Sequence, residues 1–165
     1  MKRTSYVPVF LLFFCTASFG QSSSNCAFRK VLTRNQIGKE FTFNKSKPGY
    51  YDSLVIVYLG TIKTKKGRVL KFITSRWYWG LSPRATSRII IFNSKNQYLG
   101  DYYITLTDDV PDRIQGTSLV FVNAERSNCV AGLVTKVNFK DGIPREFFLK
   151  CNEQFGDIYG FQQNL

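Results

Sequence analysis

Residues 75–88, SRWYWGLSPRATSR, set Trp77, Tyr78 and Trp79 beside Arg76, Arg84 and Arg88 with no acid among them. Aromatic planes next to guanidinium groups suit sugar rings, lipid head groups or single-stranded bases, which stack on the ring and hydrogen-bond at its rim. The same residues also suit a structural lid, in which arginine stems lie over half-buried tryptophans. Along Arg68–Trp79 the even positions read Arg, Leu, Phe, Thr, Arg, Tyr and the odd ones Val, Lys, Ile, Ser, Trp, Trp. Both sets mix apolar and charged residues, so periodicity leaves open which face enters the core. One face at most can enter it, so either Tyr78 or the Trp77/Trp79 pair stays partly wet. Just upstream, Lys63, Lys65, Lys66 and Arg68 surround a turn at Gly67. Such a run is a solvated turn in most proteins and an anion-binding patch in some.

Other chemistry is narrowed by what the chain lacks. It contains no histidine, which excludes Ser-His-Asp and Cys-His catalysis and every His-ligated metal site. Asp108, Asp109 and Asp112 form one acidic cluster around Pro111. Read functionally, they are a calcium site or a carboxylate pair for glycoside hydrolysis. Read structurally, they are turn and helix-cap residues, and the spaced oxygen ligands of a calcium loop are missing. Gly60, Gly67 and Gly80 stand too far apart for a phosphate loop. No cofactor and no metal are expected.

The elements that hold these residues read as strands and turns. Leu54–Ile62 is apolar and β-branched without a helical period, and Val69–Trp79 follows it across Lys65-Lys66-Gly67 as a hairpin. Arg88–Asn93 and Gln97–Leu106 flank a turn at Ser94-Lys95-Asn96. In the second of these, Tyr98, Gly100, Tyr102, Ile104 and Leu106 alternate with Leu99, Asp101, Tyr103, Thr105 and Thr107. Ser118–Asn123 is a further strand. Val130–Phe139 and Arg145–Cys151 flank Lys140-Asp141-Gly142, which reads as another hairpin. Ile158–Phe161 reads as a short edge strand. Helix is expected only over Ala27–Arg34 and as one turn near Asp109, with residues 21–25 a lead-in and Lys45–Gly49 a loop. The fold class is therefore all-β: an antiparallel β-sandwich or small β-barrel of about eight strands. Apolar runs such as LVIVYL and RIIIF imply strands covered on both faces. A transmembrane barrel needs segments of roughly ten residues with outward apolar alternation, and only Gln97–Thr107 alternates well.

Residues 1–20 have the order of a signal peptide: Lys2 and Arg3, an apolar run from Val7 to Cys15, then small residues to Gly20. This leader resembles bacterial export signals. It leaves residues 21–165 as a single β-rich domain without a membrane segment. Four cysteines are present. Cys15 departs with the leader, and the remaining odd number allows one internal disulfide, between Cys129 and Cys151 or with Cys26 as a partner. From residue 21 onward there are 21 basic and 11 acidic residues, a net +10, and residues 53–100 hold nine lysines and arginines with no acid. The expected function is a non-enzymatic, secreted or periplasmic domain that binds an anionic ligand through a basic-aromatic surface. That surface comprises Lys63, Lys65, Lys66, Arg68, Arg76, Trp77, Trp79, Arg84 and Arg88. An anionic glycan, lipid or lipopolysaccharide fits an exported protein better than nucleic acid. A protein-interaction or inhibitor domain is the alternative, and a carboxylate-dependent hydrolase using Asp108, Asp109 or Asp112 ranks last.

Overall fold

The computed structural model describes residues 22–82, 84–124 and 129–163. The expected leader lies outside the described residues. Helix α1 (Ser22–Arg34) comes first, and ten strands follow: β1 (Glu40–Asn44), β2 (Tyr51–Lys63), β3 (Val69–Gly80), β4 (Arg84–Asn93), β5 (Tyr98–Ile104), β6 (Arg113–Gln115), β7 (Ser118–Val122), β8 (Val134–Asn138), β9 (Glu146–Lys150) and β10 (Gly156–Gln162). They pair antiparallel as a seven-stranded sheet, β1-β2-β3-β4-β5-β10-β9, and a three-stranded sheet, β6-β7-β8. β6 lies against β2 and β8 against β9. The small sheet thus closes the curled large one into a barrel with two seams. The Cys129–Cys151 disulfide fastens the β8–β9 seam, and the Val130 N–H donates to the Cys151 carbonyl beside it at 2.8 Å. Cys26 is the free, exposed thiol among the described cysteines.

Aromatic residues fill the barrel. The Phe72 ring meets Phe139 edge-on at 4.8 Å, and Phe147 packs against Tyr102 at 5.0 Å, Phe121 at 5.4 Å and Tyr159 at 5.5 Å. An apolar interior is the reverse of a transmembrane barrel, whose lumen is polar. Among the described residues no helix is long and apolar enough to cross a membrane. On the outside, α1 lays Ala27, Val31 and Leu32 over Ile56, Tyr58, Ile73 and Ile90. β2, β3 and β4 are therefore covered on both faces where the helix sits, as their apolar runs imply. Each aliphatic side chain buried there contributes roughly 1.5–3 kcal/mol. The helix ends at Asn35, whose φ of 51° is the left-handed conformation that stops a helix.

Two bulges shift the alternation. Tyr58 pairs with Ile73 and Gly60 with Phe72, so Leu59 is an extra residue. Tyr58 therefore points toward the helix, while both Leu59 and Ile62 point into the barrel. Gly60, at φ 121°, supplies the backbone that this bulge requires. In β5 the extra residue is Leu99, because Ile91 pairs with Gly100 and Phe92 with Tyr98. Tyr98 consequently shares a face with Asp101, not with Tyr102 as strict alternation predicts. A Cβ on Gly100 would land in the Phe161 ring of β10, so only glycine lets that strand approach.

Several other expectations are corrected. Residues 22–25 belong to α1, because the helix runs on from Ala27 toward the N-terminus through polar positions. Glu40–Asn44 is an additional strand, paired along its whole length with β2. The expected turn near Asp109 gives way to β6, which the small sheet recruits through Arg113–Gln115. Val130–Phe139 and Arg145–Cys151 do not form a hairpin: β8 pairs with β7, and β9 with β10. The turn at 140–142 exists, but it carries the chain from the small sheet to the large one. Ile158–Phe161 is no edge, since β10 joins β5 to β9.

The disulfide closes a loop with a sequence separation of 22, so replacing both Cys129 and Cys151 with alanine costs about 3 kcal/mol. Thermal unfolding should fall by roughly 10 °C, read by circular dichroism. Burial raises the ionisation of Tyr98, Tyr102 and Tyr159 above the ordinary tyrosine value, and Asp101 adds to the rise at Tyr98. A folded-state value raised in this way gives stability that is complete below about pH 10 and is lost as pH climbs above it. Phenolate absorbance should show three tyrosines ionising together with alkaline unfolding, later than a free tyrosine peptide.

Candidate functional site

The nine residues singled out in the sequence fall into separate places. β2 and β3 form one long hairpin, with Lys63 opposite Val69 at its turn and Tyr51 opposite Gly80 at its open end. Lys63, Lys65, Lys66 and Arg68 lie exposed at the turn. Trp79 is ten residues further along β3 than Val69, which is roughly 33 Å in an extended strand. Arg76 stands between the two ends, on the opposite face from Trp77 and Trp79, because side chains alternate along the strand.

The turn end gathers further cations. The Lys71 Nζ donates to Asn96 Oδ1 at 2.6 Å, which brings the β4–β5 turn with Lys95 to the same end. The Lys65 N–H donates to the Lys140 carbonyl at 2.7 Å, which brings the β8–β9 turn there as well. Lys63, Lys65, Lys66, Arg68, Lys95 and Lys140 therefore crown one end of the barrel. Asp141 is the acid within these turns, and it pairs with Lys65 at 3.0 Å. Both of its side chains are largely in water, so that pair neutralises charge while contributing little stability.

The outer face beyond α1 holds the tryptophans. Trp77 pairs with Thr86 and Trp79 with Arg84 across β3 and β4, and Arg88 pairs with Tyr103 across β4 and β5. The indole centroids stand 5.8 Å apart with their planes 31° off parallel. Each ring is fixed by its N–H: Trp77 Nε1 donates to Asp52 Oδ1 at 3.0 Å, and Trp79 Nε1 donates to Thr86 Oγ1 at 3.1 Å. Trp77 is 44% exposed and Tyr103 is 41% exposed. The Arg84 guanidinium lies over Trp79 at 5.6 Å, and that of Arg88 over Tyr103 at 5.4 Å.

Arg88 also donates from Nη1 to Asp101 Oδ1 at 2.8 Å, while the Tyr98 hydroxyl donates to Asp101 Oδ2 at 2.7 Å. Asp101 is buried, so its charge depends on these partners. The arrangement answers the question raised by residues 75–88: Trp79 is half-buried beneath Arg84, as in a lid, while Trp77 is held by its N–H yet faces solvent. On this face Asp101 takes up Arg88, while Asp52 holds the Trp77 N–H and stands between Arg84 and Lys45, whose backbone N–H donates to the Asp52 carbonyl at 2.7 Å. Asp52, Thr86, Asp101 and Tyr103 were not singled out in the sequence. They lie on three different strands, and only the pairing register brings them to the tryptophans.

Two of the three residues of the acidic cluster are taken up in the fold, and Asp108 is exposed. Asp112 Oδ2 accepts the Val122 N–H at 2.9 Å, and Asp109 Oδ2 accepts the Tyr159 hydroxyl at 3.0 Å. A recess lined by Asp109, Asn123, Lys150 and Asp157 holds about 10 Å³, room for roughly one water. Among the described residues no three cysteine, aspartate or glutamate side chains gather as a metal site would require. Comparison of the chain with family models, with curated proteins and with solved structures finds no match.

Proposed function

We propose that this protein is a non-enzymatic, exported binding domain that holds an anionic ligand of the cell envelope or extracellular space. The supporting observation is the crown of lysines and arginines on three neighbouring turns, with a single acid among them. Lys63, Lys66 and Arg68 present charge there without a carboxylate partner in the described ion pairs. Turn tips at one end of a barrel meet an extended surface better than a small molecule. Anionic lipid, lipopolysaccharide and acidic glycan all offer such a surface. Export accords with the leader-like first twenty residues and with a disulfide, which persists in oxidising compartments.

Each cation near an anionic surface is worth about 1 kcal/mol. Reversing Lys63, Lys66 and Arg68 to glutamate removes three such contributions and adds three repulsions, so affinity falls by at least about 3 kcal/mol, roughly a hundredfold or more. Binding to phosphatidylglycerol vesicles, lipopolysaccharide micelles and a sulfated-glycan resin should weaken with salt for the unaltered protein and collapse for the triple variant. Equal retention of the two proteins on all three would refute the assignment.

A further inference from the structure

The tryptophan face is a second surface, at the other end of the β2–β3 hairpin from the cationic crown. Trp77 and Trp79 are the only tryptophans in the chain, and neither joins either hydrophobic core. The largest apolar side chains available are thus kept out of the packing that stabilises the fold. Their indole N–H groups are nevertheless tied to Asp52 and Thr86, so the rings are held in place instead of sampling rotamers. A fixed, solvent-facing aromatic surface is what a stacking ligand needs, because little side-chain freedom is lost on binding.

We infer that this face binds a neutral glycan, with a pyranose ring stacked on Trp77 and its hydroxyls reached by Asp52, Thr86 and Arg84. The C–H face of a pyranose gains dispersion contact with an indole plane, while its rim offers hydroxyls that donate to a carboxylate and accept from a guanidinium. Charge decides between ligand classes. A single-stranded nucleic acid needs a cationic track along its phosphates, whereas here Asp101 takes up Arg88 and the Asp52 carboxylate interrupts the row between Arg84 and Lys45. A carboxylate against the Trp77 ring itself disfavours an acidic sugar there. The surface spreads across strands instead of sinking into a pocket, and Tyr103 stands exposed two strands away from Trp77. That spacing fits a chain of sugars better than a free monosaccharide.

The two indoles are the chain's own reporters. Short oligomers of β-1,4-linked glucose, β-1,4-linked N-acetylglucosamine and α-1,4-linked glucose should be titrated while tryptophan fluorescence is followed. At least one series should shift the emission, with an affinity unaffected by salt. Trp77→Ala should weaken that affinity at least tenfold, Trp77→Phe should retain much of it, and both variants should unfold near the temperature of the unaltered protein. Trp77→Ala should still bind the anionic surfaces, and the triple variant at the crown should still bind the oligomer, so the two sites can fail separately. No response to any oligomer, binding that survives Trp77→Ala, or a response to oligothymidylate alone would overturn the inference.

Discussion

The outer face of β2, β3 and β4 is longer than the helix that covers it, and the rest of the molecule follows from that mismatch. Thirteen helical residues span about 20 Å, while the twelve residues of β3 span about 40 Å. Inside the barrel the mismatch does not arise, because β6–β10 supply a second wall along the strands. Outside, α1 buries Ile56, Tyr58, Ile73 and Ile90 and then runs out. Whatever stands beyond the helix on that face is wet, and in this sequence that is Trp77, Arg84 and Thr86, with Tyr103 beside them on β5. The exposed aromatic surface is thus a consequence of where burial stops.

The same two-sided burial made part of the fold legible in the sequence. Runs such as LVIVYL and RIIIF have no polar side to turn outward, which is the mark of strands covered twice. The β2–β3 and β4–β5 hairpins were readable because each turn is local. What was not readable is the alternation, since Leu59 and Leu99 are bulged and each reverses the facing of the residues beyond it. The one sign of each bulge in the sequence is the glycine that follows it, Gly60 after Leu59 and Gly100 after Leu99, and the partner strand is needed to show that the alternation shifts there. Tyr98 therefore faces Asp101 against strict alternation, although its strand lies where the sequence pattern places it.

Long-range pairing was the other gap. Lys140-Asp141-Gly142 has good hairpin composition, and a turn forms there, yet the flanking strands bond to other partners. Composition specifies that the chain reverses; it does not specify whether the two arms stay in one sheet. Cys129 and Cys151 lie at the far end of those arms, and the cysteine count alone leaves Cys26 open as a partner. They do bond, across a seam between sheets, where few main-chain hydrogen bonds are available. A covalent link is useful at such a place, because β8 and β9 each bond to another strand and not to one another.

Counting charges along the chain overstates what any one surface presents. Residues 53–100 hold nine cations and no acid, which suggests a single basic field shared by lysines and tryptophans. In the fold, acids from elsewhere meet two of the groups near the aromatics: Asp101 takes Arg88, and Asp52 takes the Trp77 N–H. The lysines of the crown stand roughly 33 Å from Trp79, about three times the screening length of about 10 Å at 0.1 M salt. Their field therefore does not reach the tryptophans. An anion drawn to the crown gains nothing from the stacking face, and a sugar on the stacking face feels little of the net positive charge. Two surfaces that are contiguous in the sequence are, in electrostatic terms, independent.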